Sequence, residues 1–194
     1  MAAIGLQRRR QAEDWPRVEA FGFTPWKQPH LRRFLAGSRL RFRWARSRPG
    51  RQLDAVAVWG RRAQPRLLEA ARRRQLPVLQ VEDGFLRSVG LGADLIAPIS
   101  WVVDPVGVYY DATAPSALEQ RLCEQSWSTE QLLRAARLRE RLVREAITKY
   151  NLEAQPWQRP DGVRRVVLVI GQVESDASIP VSYTHLTLPT ILRV

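Results

Sequence analysis

Short apolar runs separated by an amphipathic segment form the clearest pattern along the chain. Residues 54–59 (DAVAVW) and 76–81 (LPVLQV) are apolar and contain β-branched side chains, as buried strands do. Between them, residues 61–75 place their leucines and alanines on one side of a helix. A strand, a helix and a strand within about thirty residues predict a βαβ unit, with parallel strands and a right-handed crossover. The predicted fold class is therefore α/β.

Weaker patterns predict further elements around this unit. Residues 30–37 (HLRRFLAG) favour a short helix, and residues 39–44 (RLRFRW) alternate polar and apolar side chains, as a half-buried strand does. Residues 101–110 (WVVDPVGVYY) predict a hairpin that turns through their central DPVG. Residues 163–170 (VRRVVLVI) predict another buried strand. The stretch from 82 to 98 lacks a regular period, and its length is typical of a functional loop.

Capping boxes mark the first residues of two further helices. Ser116 with Glu119 begins one helix, and Ser128 with Gln131 begins the other. The second helix is predicted to run to about Tyr150 and to pack a broad apolar face into the core. Its arginines also allow the alternative of a helix that lies on a membrane surface.

The net charge of +12 is concentrated in the first part of the chain. Residues 1–75 contain 19 lysines and arginines against 5 aspartates and glutamates, whereas the rest of the chain contains 12 against 14. Such a basic surface favours an anionic partner, namely a lipid surface, a nucleotide sugar or nucleic acid. An arginine-rich composition without any binding role would produce the same excess, so both interpretations stay open.

Several classes of protein are disfavoured by what the sequence lacks. It has no apolar run long enough to span a membrane and no signal peptide, so a cytoplasmic protein is expected. With one cysteine and two histidines the chain cannot assemble a zinc site, and no metal is expected. The seven tryptophans are scattered and do not alternate with basic residues, which argues against nucleic acid as the partner.

Two pairs of acidic residues follow predicted strands and are the candidates for chemistry. Glu82 and Asp83 end one strand, and Glu174 with Asp176 follows the last one. If these strands are parallel in one sheet, both pairs face one cleft beyond their carboxyl ends. A nucleophile or charge stabiliser on one side and a general base or acid on the other would suit glycosyl chemistry. Acidic residues in ordinary turns would give the same pattern, so that alternative stays open.

Four motifs carry a resemblance to a known family through their order and spacing. They are EDGFLRSVGLGADL (82–95), GVYYDATAPSALE (107–119), KYNL (149–152) and GQVESDASI (171–179). Over residues 22–180 the chain resembles the capsular polysaccharide β-Kdo glycosyltransferases, which build the oligo-Kdo linker between capsule polymer and lipid. The resemblance implies a Rossmann-like parallel sheet with flanking helices. This sheet would be the first half of a two-Rossmann-domain, GT-B-like glycosyltransferase that moves Kdo with retention.

The same resemblance implies the substrates and the location. The donor would be the nucleotide sugar CMP-Kdo, with no further cofactor, and the acceptor would be a lipid-linked Kdo. The protein would be bacterial and cytoplasmic, in peripheral contact with the inner membrane, and capsule assembly and export proteins would be its partners. Nucleic acid would not be among them. The alternative is a non-enzymatic component that binds anions, either nucleic acid or a membrane surface.

The resemblance also assigns roles to individual residues. Asp176 would be the nucleophile that forms a covalent Kdo adduct, and Glu82 would be the base that deprotonates the acceptor hydroxyl. Ser175 departs from the family, which usually has an acidic residue before Asp176; if that acid were the nucleophile, this copy would be inactive. The chemistry of Arg87 leaves two interpretations: its guanidinium binds a substrate carboxylate or phosphate through two hydrogen bonds, or it is an ordinary surface arginine. The residues expected to bind substrate are Asp83, Gly84, Arg87, Ser88, Gly171 and Gln172.

The expected domain organisation has three parts. Residues 1–20 are polar and aperiodic, and are predicted to be a linker-like lead-in. Residues 21–180 resemble the acceptor-side domain of an incomplete module, corresponding to the N-terminal half of the second module in tandem family members. Residues 181–194 begin with VSYTHLTLPT, which matches a translated transposase sequencing adapter, so we expect a non-native tail. The fragment alone is accordingly expected to be inactive.

Overall fold

A five-stranded sheet forms the centre of the computed structural model, which describes residues 15–60, 63–111, 113–124, 126–152 and 157–167. The strands are β1 (Arg17–Phe21), β2 (Arg39–Arg43), β3 (Ala55–Trp59), β4 (Val78–Asp83) and β5 (Trp101–Asp104). The helices are α1 (Lys27–Phe34), α2 (Pro65–Arg73), α3 (Ala117–Glu124) and α4 (Thr129–Arg144), with a short 3₁₀ turn at Gly92–Asp94. The sheet order is β2-β1-β3-β4-β5.

The pairing of the strands confirms the α/β class and the βαβ unit. β1 is parallel to both β2 and β3, and β3 is parallel to β4, with α2 as the crossover between them. β5 runs antiparallel to β4, so the sheet is mixed at this edge. Leu31 of α1 belongs to the core on one face of the sheet, and Leu67 and Ala71 of α2 belong to the core on the other face. The carboxyl ends of four strands therefore share one rim.

The prediction that residues 1–20 form a loose lead-in is wrong for the part that the structure describes. Residues 17–21 form β1, which lies between β2 and β3. The strand escapes prediction because Arg17 and Glu19 interrupt its apolar pattern. Glu19 is only 3% exposed, and its carboxylate accepts the Gly50 N–H at 2.9 Å and lies 4.0 Å from Arg43 Nε. These partners offset the cost of burying the charge. Residues 1–14 lie outside the described residues.

The predicted hairpin over residues 101–110 is also wrong, because its second half is not a strand. β5 pairs with β4 instead of with the residues that follow it. After β5 the chain turns because the buried Asp104 carboxylate accepts the N–H groups of Val106 and Gly107. Its other oxygen accepts the Ala117 N–H at 2.9 Å, which ties the turn to the first residue of α3. A single buried carboxylate thus satisfies three backbone donors.

Both capping boxes are confirmed, but the predicted length and packing of α4 are wrong. α4 ends at Arg144, because Ala146 adopts a left-handed conformation (φ 49°) in a Schellman-type termination. None of its described side chains is buried, and Val143 is 77% exposed. The predicted core-facing side therefore buries none of its described side chains.

The last described residues do not support the predicted strand at 163–170. Residues 163–167 are not in a strand, and residues 168–170 lie outside the described residues. The same is true of the expected tail at 181–194. Among the described helices, none is both long and apolar enough to cross a membrane.

Candidate active site

The cleft beside Glu82 and Asp83 lies at the predicted place, the carboxyl rim of the parallel strands. Both residues end β4, next to the end of β3 at Trp59. The cleft has a volume of about 340 Å³. Its lining consists of Trp26, Lys27, Trp59, Glu82, Asp83, Arg87, Leu91, Gly92, Ala93 and Tyr150. Two carboxylates, two cations and three aromatic rings therefore meet in one concave site.

Glu82 is held in place by a hydrogen bond to each of its carboxylate oxygens. Oε1 accepts the Asp83 N–H at 2.9 Å, and Oε2 accepts the Tyr110 hydroxyl at 3.1 Å. Burial raises the pKa of Glu82 above its usual range, and the nearby charge of Asp83 raises it further. The two hydrogen bonds and the charge of Lys27 lower the pKa, but they offset this rise only in part. A carboxylate with a raised pKa is a stronger base than a solvated one.

Gly60 gives Glu82 and Tyr110 the space to meet. A Cβ atom at this position would lie 2.5 Å from the Tyr110 hydroxyl oxygen and 2.9 Å from Glu82 Oε2. Its φ of +50° is also one that residues with a side chain rarely adopt. The turn after β3 therefore requires glycine for its backbone and for the site.

Asp83 is oriented by two buried groups. Trp101 Nε1 donates to Asp83 Oδ1 at 3.1 Å, and Arg87 Nε lies 3.1 Å from the same oxygen in an ion pair. Arg87 is only 2% exposed, so the alternative of a surface arginine is wrong. Its Nη1 donates to Ser88 Oγ at 2.7 Å and to the Ile96 carbonyl at 2.9 Å. Arg87 therefore organises the cleft wall, and its predicted contact with substrate stays a prediction.

The loop after β4 is attached to the KYNL motif by backbone hydrogen bonds. The Arg87 N–H donates to the Lys149 carbonyl at 2.8 Å, and the Gly90 N–H donates to the Tyr150 carbonyl at 2.7 Å. Asn151 Nδ2 donates to the Ser88 carbonyl at 3.0 Å. Two motifs that lie far apart in the sequence thus form one structural unit.

Gly84 and Ser88 make internal contacts in this loop. A Cβ atom at Gly84 would collide with Ser100 Oγ, and the Gly84 N–H donates to the Ser100 carbonyl. The buried Ser88 hydroxyl donates to the Gly90 carbonyl at 2.6 Å. Their predicted contacts with substrate stay predictions.

Several residues of the site are not predicted from the sequence. Lys27 Nζ lies 3.1 Å from the centroid of the Trp59 ring, which holds its charge beside the carboxylates. Tyr109 donates to the Asp83 carbonyl at 3.1 Å. Burial and the charges of Glu82 and Asp83 raise the pKa of Tyr109 to about 12, so it remains a donor at neutral pH. Of these residues, Lys27 is the one that its residue type singles out, because the chain has two lysines among its 31 lysines and arginines.

The predicted nucleophile Asp176 lies outside the described residues, as do Gly171 and Gln172. The structure therefore brings together Glu82, Asp83 and Arg87 and leaves the second half of the predicted site untested. Among the described residues, no group of three or more histidines, cysteines and acidic residues is placed to hold a metal ion.

The chain is similar in sequence to a family of capsule polysaccharide biosynthesis proteins and to proteins of capsule modification and lipopolysaccharide processing. The family described as "Capsule polysaccharide biosynthesis protein" matches residues 54–155. The capsule polysaccharide modification protein LipA of Neisseria meningitidis is 37% identical over 142 residues, which are 71% of this chain and 20% of LipA. The lipopolysaccharide-processing protein LpsZ of Rhizobium meliloti is 36% identical over 179 residues, which are 86% of this chain and 41% of LpsZ.

Two solved structures from Thermosulfurimonas dismutans share the fold. KpsC, beta Kdo 2,4 transferase, is 41% identical with a TM-score of 0.63, over 77% of this chain and 46% of that chain. KpsC, beta Kdo 2,7 transferase, is 30% identical with a TM-score of 0.55, over 84% of this chain and 51% of that chain. The chain thus spans about half the length of these structures. It belongs to the capsule polysaccharide biosynthesis protein family, which confirms its resemblance to the capsular β-Kdo transferases.

Proposed function

We propose that this chain provides the acceptor side of a β-Kdo transferase that moves Kdo from CMP-Kdo to a lipid-linked Kdo acceptor in capsule synthesis. The observation that carries the proposal is the Glu82 carboxylate. It is partly buried, has a raised pKa, and opens into a cleft at the carboxyl rim of the sheet. The 41% identity to a β-Kdo transferase of the same fold supports this assignment.

The proposed reaction has two displacements at the anomeric carbon of Kdo. In the first, the Asp176 carboxylate forms a bond to this carbon, and the bond to CMP breaks with its electron pair on the phosphate oxygen. In the second, the acceptor hydroxyl attacks the same carbon, the bond to Asp176 breaks, and Glu82 takes the hydroxyl proton. Two inversions give net retention.

The pKa of Glu82 suits the role of base in the second step. A group that must accept a proton near neutral pH works best when its pKa lies close to that pH but below it. Burial moves the pKa of Glu82 in this direction, while Tyr110 and Asp83 fix the direction of its oxygens. Lys27 also lines the cleft, and its charge acts on the Glu82 carboxylate.

Among the linkages, a β-2,4 bond is favoured. The chain is 41% identical to the 2,4 transferase and 30% identical to the 2,7 transferase, and the TM-score is also higher for the former. We therefore propose that the acceptor hydroxyl is the one on carbon 4 of the terminal Kdo.

The test uses the gene product that contains this chain, together with CMP-Kdo and a Kdo-bearing glycolipid. CMP release and mass spectrometry of the product measure the activity, and nuclear magnetic resonance identifies the linkage. Replacing the base through Glu82→Gln should lower kcat by about 10²- to 10⁴-fold and remove the acid limb of the pH profile. The exposed carboxylate of α4 provides the matched control Glu140→Gln, which should leave kcat unchanged. Full activity of Glu82→Gln would contradict the proposed base, and absence of any Kdo transfer would contradict the function.

A further inference from the structure

A basic surface lies beside β2, the edge strand farthest from β5. We call it the β2-edge surface and define it by Arg41, Arg43, Trp44, Arg46, Arg48 and Arg66. Trp44 follows the last residue of β2 and is 87% exposed, more than any other large hydrophobic residue in the described part of the chain. Its carbonyl accepts the Ser47 N–H at 2.9 Å, so the indole lies at the first residue of a tight turn.

The arginines of β2 project from one face of the sheet. Because side chains alternate along a strand, Arg41 and Arg43 share a face, whereas Leu40 and Phe42 pack against the core on the other face. Arg41 is in register with Glu19, and Glu19 is in register with Val56. Val56 packs with α2, so these arginines lie on the side of the sheet that carries α2.

A groove of about 890 Å³ continues this surface between residues 45–49 and α2. Arg46, Arg48 and Arg66 line it with exposed side chains. The one acidic residue among its described lining residues is Glu69, which already accepts hydrogen bonds from Arg72 and Arg73 at 2.8 Å each. The surface therefore carries a strong excess of positive charge next to an exposed indole.

This combination fits an anionic lipid surface better than nucleic acid. Tryptophan is enriched where a bilayer meets water, and arginines near the surface are attracted to anionic headgroups. A groove for single-stranded nucleic acid presents a series of aromatic rings on which bases stack. The described lining of this groove contains no aromatic residue, and Trp44 stands outside it at the turn.

We propose that the β2-edge surface docks the protein on an anionic bilayer, with Trp44 in the interfacial region and the arginines on lipid phosphates. Trp44 follows β2 and Glu82 lies at the carboxyl end of β4, and these parallel strands are three strand spacings apart, or about 14 Å. Docking would therefore hold the cleft rim close to the headgroups, where a lipid-linked acceptor is located. Only this last consequence rests on the proposed function.

The test measures co-sedimentation of the 194-residue protein with phosphatidylcholine vesicles, with and without about 30% phosphatidylglycerol. Binding should require the anionic lipid and weaken when NaCl is raised to about 0.5 M. Trp44→Ala should lower the partition coefficient about tenfold. The double change Arg46→Gln/Arg48→Gln should lower it about twenty-five-fold, because each arginine near the surface contributes about a factor of five.

Matched controls separate this surface from other exposed residues. Trp157→Ala removes another exposed indole, and Arg134→Gln/Arg137→Gln removes two exposed arginines of α4. Both should bind within about twofold of the unchanged protein. Far-ultraviolet circular dichroism should show the same fold for all variants, because every altered side chain is exposed.

Three outcomes would overturn the proposal. The first is that the Trp44 and Arg46/Arg48 variants bind as well as the unchanged protein, and the second is that the controls lose binding equally. The third is tighter, Trp44-dependent binding to a single-stranded oligonucleotide, which would assign the surface to nucleic acid. Loss of Kdo transfer with intact vesicle binding would refute the proposed function and leave this inference standing.

Discussion

At the scale of single residues, Glu82 carries a cost in stability that its proposed role requires. Burial penalises its charged form, so its pKa in the folded protein lies above that of the unfolded chain. Below the unfolded pKa the carboxyl is neutral in both states, and the cost is absent. As pH rises through the folded pKa, the folded protein has to hold a buried charge, and stability falls.

Glu82→Gln should therefore raise the melting temperature at pH 7.5 and change it less at pH 4. The amide can still accept from the Asp83 N–H and can donate to the Tyr110 hydroxyl, so neither partner is left without a bond. Calorimetry of both proteins at both pH values measures the difference. A lower melting temperature for the variant at pH 7.5 would show that the charge stabilises the fold.

Gly60 permits a second test at this scale. Gly60→Ala should destabilise the protein by about 2 kcal/mol or more, because the strain of a positive φ is joined by a clash with Tyr110 and Glu82. Gly162 provides the control, since its φ is +74° but a Cβ atom at this position would have no neighbour within 4 Å. Gly162→Ala should cost about 1 kcal/mol or less. Urea unfolding compares the two variants. An equal decrease in the free energy of unfolding would mean that Tyr110 and Glu82 move away from the new Cβ atom without further destabilisation.

At the scale of secondary-structure elements, the sequence predicts those helices and strands that a local pattern of apolar side chains determines. β3, α2 and β4 are predictable because each buries a continuous run or a regular face of apolar side chains. β1 is missed because its charge at Glu19 is neutralised by Arg43, which lies on another strand. A pattern read along one segment does not contain such a partner.

The candidate site is likewise predictable only for those residues whose position a local pattern determines. Glu82 and Asp83 follow from the rule that parallel strands present their carboxyl ends to one rim. Lys27 and Tyr110 reach the same rim from α1 and from the turn after β5, and no local pattern predicts that the chain brings them there. Their role depends on where the chain returns, which is a property of the tertiary fold.

The two capping boxes allow a matched experiment on elements. Ser116 caps α3, which is tied to the core through Asp104, whereas Ser128 caps α4, which buries none of its described residues. Ser116→Ala should lower global stability by about 1 kcal/mol. Ser128→Ala should reduce helical signal in circular dichroism but leave the main unfolding transition unchanged. If both variants shifted that transition equally, α4 would have to be packed in solution.

At the scale of the whole molecule, the exposed apolar face of α4 should govern association. Leu133 and Val143 are more than half exposed, so replacing them in Leu133→Gln/Val143→Gln should leave the unfolding midpoint unchanged and reduce self-association. Light scattering against concentration measures the latter. By comparison, Leu31→Ala, which truncates the buried leucine of α1, should lower the free energy of unfolding by about 3 kcal/mol. A comparable loss in the α4 variant would contradict the exposure of this helix.

The attachment of the loop after β4 to Lys149 and Tyr150 has a consequence for the order in which the protein is made. The N–H groups of Arg87 and Gly90 cannot form these hydrogen bonds until a segment about sixty residues later has been synthesised. At about 5 to 20 residues per second, a ribosome needs roughly 3 to 12 seconds to add that segment. During this interval the nascent chain holds both carboxylates of the cleft but not the backbone that supports its wall. The cleft is therefore completed from the later end of the chain, after the sheet that carries it.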